Sequence, residues 1–458
     1  MSRRIKFFGG GVVLLAALLL TSAPAAAQSR PLPPLASQAT ITVTGQNNAA
    51  EDYSALQQAL AQAAPGDTLQ LAGVFDLTGC AQGLLVTKNI TITGAGDPNA
   101  TPETATRIHG CGPAFAIAIP APAPGALTLQ NLYFHAQQPL SIQFQDSANP
   151  VNILNNRFTG NIPLNQGGVF ARFAVGAAAI GGVAITGTIT VENNHVDWSD
   201  APDNAAFAGD DNGFAFAAAN VSLVIRNNHI TTLGEGIEIE GNHGQDNTYL
   251  VAGNVVNTQA APSPAGTASG PVGSVGEALQ GGHPAAIKVH ANEGVFVVRD
   301  NAVTLTGSPS GVCYMATTRH DRAVAGAVVH LFQGNRCSLS GHLAGLLSAW
   351  GETVPFFRRA SLSGALVTGN SFTGAGALGI ALIDRTGAPL LSDVTNVGHN
   401  NLILFNSFAG LAATRAHIAF DSRTQNNEIA AWPDDQIADL GDNLLRGGLA
   451  FLPLLLAE

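Results

Sequence analysis

Eight times along the chain a short apolar strand runs into an asparagine, and a second short stretch follows. The copies read VNILNNRFTG at Asn156, ITVENNHVDW at Asn194, LVIRNNHITT at Asn228 and YLVAGNVVNT at Asn254. They continue as VFVVRDNAVTL at Asn301, VVHLFQGNRCSL at Asn335, ALVTGNSFTG at Asn370 and LILFNSFAG at Asn406. LTLQNLYFHA at Asn131 fits the same frame, and TQNNEIA and GDNLLRG read as worn copies near the end. The eight asparagines lie 26 to 47 residues apart. Helical repeats keep their period and their helix formers; here β-branched residues, Gly and Asn dominate. Coils of short strands joined by turns absorb insertions at the turns without losing register. An Asn at one place in every coil can bond the amide above, the amide below and the turn backbone. It also tolerates the left-handed backbone of tight turns.

These observations predict an all-β chain, a right-handed parallel β-helix. Its open ends are sheet edges and need covers. DYSALQQALAQAA, residues 52–64, supplies one as an amphipathic helix with Leu56, Ala59, Leu60 and Ala63 on one side. The N-terminal cap is expected over about 40–75. SALQQALAQAAPGDTLQLAGVFDLT resembles the opening of the pectate-lyase-like β-helix superfamily, with a capping helix, a PGDT turn and the first coils. The Asn repeats resemble its coil repeat. The resemblance covers most of the chain and implies the fold; this fold hosts many activities and non-enzymes alike. Residues 259–282, rich in Pro, Gly, Ser and Ala, and residues 307–325 are expected as excursions from the helix wall. The apolar tail GLAFLPLLLAE is expected to cover the last coil.

The first 27 residues read as a secretory leader: basic MSRRIKFF, apolar VVLLAALLL, then small residues before Gln28. The apolar run is short for a membrane span, so no transmembrane anchor is expected. SRR hints at twin-arginine export, but Lys6 favours the general pathway. The expected location is secreted, periplasmic or cell-surface. Without the leader's three basic residues the chain carries 17 basic against 31 acidic residues. That balance argues against nucleic acid as a partner. Four Cys in an exported chain predict Cys80–Cys111 and Cys313–Cys337 disulfides. A zinc site is the alternative, although no Cys-x-x-Cys is present.

In GEGIEIEG, residues 234–241, Ile at every second position marks a strand with one buried face. Aligning GFAFA (213–217), GIEIE (236–240) and AIKVH (286–290) buries Phe214, Ile237 and Ile287 in one file and Phe216, Ile239 and Val289 in the next. Ala215, Glu238 and Lys288 then share an outward file, and Ala217, Glu240 and His290 the neighbouring one. Asp210 and Asp211 of GDDN lie on the turn before it. Only 11% of the chain is charged, so this is a local excess.

The patch supports three readings. Lyases of this fold remove a proton beside a uronate carboxylate, which a cation or basic residue neutralises. Lys288, or Arg319 in TTRHDR, would supply base or charge, and Asp210, Asp211, Glu238 and Glu240 would hold Ca²⁺. Of these, Asp211, Glu238 and Glu240 are the expected ligands of the cation, and Glu238, Glu240, His243 and His290 are expected to touch substrate. The second reading is hydrolysis by paired carboxylates. GDD at 209–211 resembles the paired-Asp motif of polygalacturonases, and NHG at 242–244 and AIK at 286–288 follow in that family's order, with Asn242 for Gly and Ala286 for Arg. The third is a non-catalytic surface or adhesion protein. In each the expected partner is an extracellular polysaccharide. Nothing in the residues specifies an oligomeric state. His330 is expected in the core, His195 and His229 at turns, and Glu192, Arg226 and Arg299 in solvated pairs. Trp198, Trp350 and Trp432 are scattered, as packing residues are.

Overall fold

The asparagines stack. In the computed structural model each donates a side-chain N–H to the Oδ1 of the next: Asn156 to Asn194, Asn194 to Asn228, Asn228 to Asn254, Asn254 to Asn301, Asn301 to Asn335, Asn335 to Asn370 and Asn370 to Asn406, all at 2.9–3.1 Å. The same Oδ1 accepts the backbone N–H of the Asn below, and Nδ2 also donates to a strand carbonyl, such as Ile225 O for Asn254. All of these asparagines are buried. The residue before each is left-handed: Asn155, Asn193, Asn227 and Asp300 at φ 50–57°, and Gly253, Gly334 and Gly369 at φ 63–65°. Phe405 holds the same conformation before Asn406, an uncommon place for a bulky side chain.

The structure describes residues 38–80, 83–110, 114–120, 122–136, 141–147, 149–160, 187–197, 213–218, 221–232, 235–241, 247–258, 285–290, 294–306, 311–317, 329–350, 362–384, 400–420, 424–439 and 442–447. The chain winds as a right-handed parallel β-helix of three sheets. In its central coils the first sheet contains Val151–Leu154, Gly187–Glu192, Val221–Arg226, Thr248–Ala252 and Val295–Arg299. After the Asn turn the second contains Arg157–Gly160, His195–Asp197, His229–Thr232, Val255–Thr258 and Ala302–Leu305. The third contains Phe214–Ala218, Ile237–Gly241, Ala285–His290 and Val312–Thr317. Every one of these strands pairs in parallel with its equivalent one coil later, as a continuous winding requires. Alternate residues point inward and build one core running through the coils, with Phe134 and Phe158 stacked at 4.9 Å.

The cap is the helix Ala49–Gln62, with Leu56 and Ala59 buried. Asn48 Oδ1 caps its N-terminus, accepting from Ala50 and Glu51. Lys88 Nζ closes the other end, donating to the carbonyls of Leu60, Ala61 and Ala63. Buried Asp52 ties the helix to the first coil, accepting the backbone N–H of Gln46, Asn48 and Asp76 at 2.7–2.9 Å.

Three expectations are corrected. Asn131 is not a ladder member: it holds the left-handed site at φ 57°, and Leu132 occupies the ladder position, its N–H donating to Asn156 Oδ1. A single Asn reads alike in either place. TQNNEIA and GDNLLRG belong to a second ladder, at the start of the first sheet. There Asn401 donates to Asn427 and Asn427 to Asn443. Finally, the span 307–325 is not all excursion. Val312–Thr317 is a third-sheet strand paired with Ala285–His290. Its alternation is hidden because outward Met315 is buried along with inward Tyr314.

Cys313 and Cys337 are bonded, with Cα atoms 6.0 Å apart. Cys80 is also in a disulfide; Cys111 lies outside the described residues. So do the leader, residues 259–282 and the apolar tail. No helix among the described residues is long and apolar enough to cross a membrane.

His330 is a core residue, as expected. It stacks on Phe296 at 4.6 Å, and its Nδ1 accepts that residue's backbone N–H at 3.3 Å. Burial pushes its pKa down to about 4 from 6.5. A base with a depressed folded pKa keeps its full contribution above pH 6.5 and loses it as pH falls to about 4. This one group should therefore remove roughly 3 kcal/mol across that window. The check is urea unfolding of the natural chain and His330→Phe at pH 7 and pH 4: the variant should start less stable and fall less. An equal fall in both chains would sink the assignment.

Candidate functional site

The third sheet carries the site. Ile237, Glu238, Ile239 and Glu240 pair with Ile287, Lys288, Val289 and His290, and Phe214, Ala215, Phe216 and Ala217 pair with Ile237 to Glu240. This is the register expected from the alternating Ile residues. Lys288 Nζ donates to Glu238 Oε1 at 2.7 Å and lies 3.7 Å from Glu235 Oε1. The alternation sets Glu238 and Lys288 on an outward face, yet the side chains of Lys288, Glu238 and Glu235 are only 14%, 17% and 9% exposed.

The reason lies in the neighbouring coils. Beyond Lys288 the outward file continues as Met315 and Leu347, and then Ala381 and Ala419. These residues are buried and belong to a second apolar cluster with Ala285, Val312, Leu343, Ala344, Leu378 and Ala416. Lys288 thus stands where a polar file meets an apolar one, and its charge is screened poorly by solvent.

Glu235 is a residue that the sequence reading misses. It precedes the strand, at the corner from the second sheet, outside the alternation that reveals Glu238. Gly236 follows it, where a Cβ would collide with Val256 and Ala286 O. That close approach turns the chain sharply and seats Glu235 under Ala285, whose N–H it accepts at 3.4 Å. Burial raises the Glu235 pKa well above its ordinary value; the Glu238 charge adds to the rise, and Lys288 and the Ala285 amide oppose it. Two neighbouring carboxyls with unlike environments are the arrangement that an acid-and-base pair requires. Stability from a raised carboxyl is complete below its ordinary range and is lost as pH climbs through the folded value. Glu235→Gln should flatten that decline, read as urea midpoints between about pH 4 and pH 8. An unchanged slope would contradict a neutral Glu235.

The backbones of Glu240 and His290 pair, and their side chains lie outside the described set, as do Asp210, Asp211, His243 and Arg319. Among the described residues no three His, Cys, Asp or Glu side chains gather as a metal site. Between Glu235 and Glu238, where Ca²⁺ would need oxygen ligands, stands the Lys288 ammonium. The described residues do not fit Ca²⁺ there.

Glu192, Arg226 and Arg299 behave as ordinary surface. Arg226 pairs with Glu192 at 2.7 Å and Arg299 with Asp300 at 3.8 Å. His195 and His229 open second-sheet strands rather than sitting in turns. Trp432 is 42% exposed, 5.9 Å from the Phe405 ring. Trp198 and the Trp350 side chain lie outside the described set.

No family model matches the sequence, and no curated protein matches it. Solved structures do. The chain is similar to an alginate lyase from Paenibacillus sp. str. FPU-7 at 13% identity, covering 90% of this chain and 98% of that one, with a TM-score of 0.32. It is similar to a PL6 family polysaccharide lyase from Pseudopedobacter saltans at 14% identity, over 89% and 93% of the two chains, TM-score 0.36. A tailspike protein mutant of E. coli bacteriophage HK620, in complex with a pentasaccharide, is 15% identical over 87% of this chain and 64% of that one, TM-score 0.37. At these identities the likeness concerns the fold.

Proposed function

We propose that this chain binds an acidic polysaccharide outside the cytoplasm and cleaves it by β-elimination on the third sheet. The observation that carries this reading is Lys288, a cation held between Glu238 at 2.7 Å and buried Glu235 at 3.7 Å. β-Elimination needs three things beside a uronate: positive charge at its carboxylate, a base for the adjoining C–H, and an acid for the leaving oxygen. Lys288 supplies the charge. Glu238 takes the proton as the C–H electrons form the new C=C bond and the glycosidic C–O bond breaks. Glu235, held neutral, protonates the departing oxygen. The Cys313–Cys337 bond and the expected leader support an extracytoplasmic site of action.

Glu235, its carboxyl pushed toward the neutral form by burial, beside Glu238 also favours a second reading, hydrolysis by an acid and a carboxylate partner. One experiment separates them. The leaderless chain is incubated with polymannuronate, polyguluronate and polygalacturonate, with Ca²⁺ or with a chelator. New ultraviolet absorbance from an unsaturated product supports elimination. New reducing ends without that absorbance mean hydrolysis. Binding without either product leaves a non-catalytic surface protein, and a Ca²⁺ requirement would assign the cation to residues beyond Lys288.

A further inference from the structure

The second sheet carries its own cluster, apart from Lys288. Its outward file runs Arg107, Tyr133, Arg157, His195 and His229 over successive coils. A parallel file holds Asp76, His109, His135, Thr159 and Asp197. The guanidinium groups of Arg107 and Arg157 flank one ring, at 5.1 and 5.8 Å from the centroid of Tyr133. Tyr133 OH accepts from Thr159 Oγ1, which in turn lies 3.2 Å from His135 Nδ1. Arg157 continues the chain to His195 at 3.5 Å, and His195 lies against His229 at 4.9 Å.

We propose that this face, along Arg107, Tyr133, Arg157 and His195, is a second binding site for an acidic polysaccharide strand running parallel to the coil axis. Three observations support it. First, the Arg157 side chain is 19% exposed, so part of its guanidinium is open to a ligand, and its Nε has no hydrogen-bond partner in the structure. A guanidinium short of acceptors favours a carboxylate, which can meet two of its N–H groups at once. Second, Arg107 and Arg157 are two coils apart, about 9.6 Å. That is about the length of two pyranose rings, the repeat at which alternate carboxylates of a uronate chain face the same way. Third, the face has a wall. Asn99 bonds Asn155 and Asn193, and Arg107 donates to Pro102 O, so the 97–104 loop lies along one side.

Asp76 accepts from Thr78, and Asp197 makes a long ion pair with Arg157 at 3.9 Å, a contact that an incoming carboxylate would have to compete with. Burial and the Arg157 charge push the His195 pKa down to about 4, so that ring is neutral and does not crowd the site with a third charge. The site shares with the proposed function only the class of ligand, an acidic polysaccharide, and is independent of the chemistry at Lys288.

The test is titration calorimetry of the leaderless chain with oligouronates of increasing length. Arg107→Gln and Arg157→Gln should each weaken binding about tenfold or more, and Arg157→Lys less than Arg157→Gln. Turnover of any short oligomer cut at the third sheet should not change. Should the glutamine variants fail to fold, arginine modification of the natural chain takes their place: bound oligouronate should protect Arg107 and Arg157, read by mass spectrometry. Unchanged affinity in the variants, or no protection, overturns the proposal. So does equal binding of a neutral glucan or of polyglutamate, which would reveal a surface without sugar or charge selectivity.

Discussion

Asn254→Ala should cost the folded chain about 3–5 kcal/mol, among the largest losses available to a single side chain outside the hydrophobic core. Asn254 makes four bonds in a position with no solvent. Its Oδ1 accepts from Asn228 N and Nδ2, and its Nδ2 donates to Ile225 O and Asn301 Oδ1. Alanine removes the one acceptor that Asn228 N and a hydrogen of Asn228 Nδ2 share, leaving both donors buried, and each stranded group costs about 1–3 kcal/mol. Asn156 provides the contrast. Below it stands Leu132, which offers only its backbone N–H. Asn156→Ala strands one donor from the coil below rather than two, and should cost about 1–3 kcal/mol. Asn254→Asp keeps the acceptor but turns a carboxylate toward Ile225 O and Asn301 Oδ1. It should recover stability in acid as that carboxyl takes up a proton. Urea unfolding of the three variants at one protein concentration ranks them. A loss below about 1 kcal/mol for Asn254→Ala would mean that the ladder is incidental to stability.

Lys288→Ala should abolish elimination, by about 10²–10⁴-fold in kcat if the ammonium serves the chemistry as proposed. It should also lower stability at neutral pH by about 3–5 kcal/mol, because two carboxyls are left together in a poorly solvated pocket. The second effect complicates the first, so the pair must be separated. Lys288→Met with Glu238→Gln removes both charges and should restore most of the stability but none of the turnover. If the double variant regained turnover along with stability, Lys288 would be a structural residue and the site would lie elsewhere.

The register of the third sheet is legible because Ile237 and Ile239 alternate with Glu238 and Glu240, and a strand's parity is set by such a pattern. From that parity the pairing with Lys288 follows, and the structure has it. The ladder is legible because Asn serves as both donor and acceptor and a Gly, Asn or Asp precedes most copies. Glu235 is not legible. It sits at a corner where no periodicity operates, and only the folded chain brings it to Lys288, about fifty residues on. The burial of outward-facing Glu238 and Lys288 escapes the sequence for a related reason. Met315 and Leu347 are apolar on the face taken to be wet, and such runs carry no alternation from which a face can be read. Phe405 likewise hides its left-handed backbone behind a side chain that never advertises one.

The ladder also has a direction. Each Asn hands its backbone N–H and one side-chain hydrogen to the Asn of the next coil, from Asn156 onward to Asn406, while its other side-chain hydrogen goes back to a carbonyl of the coil before. As the coils form in chain order, the newest rung therefore always waits, with two hydrogens unanswered, for the rung that follows it. A chain folded only part-way would expose those donors together with a bare strand edge, and the next coil would close it. Elongation then works as templating, with every completed turn presenting the donors that recruit its successor.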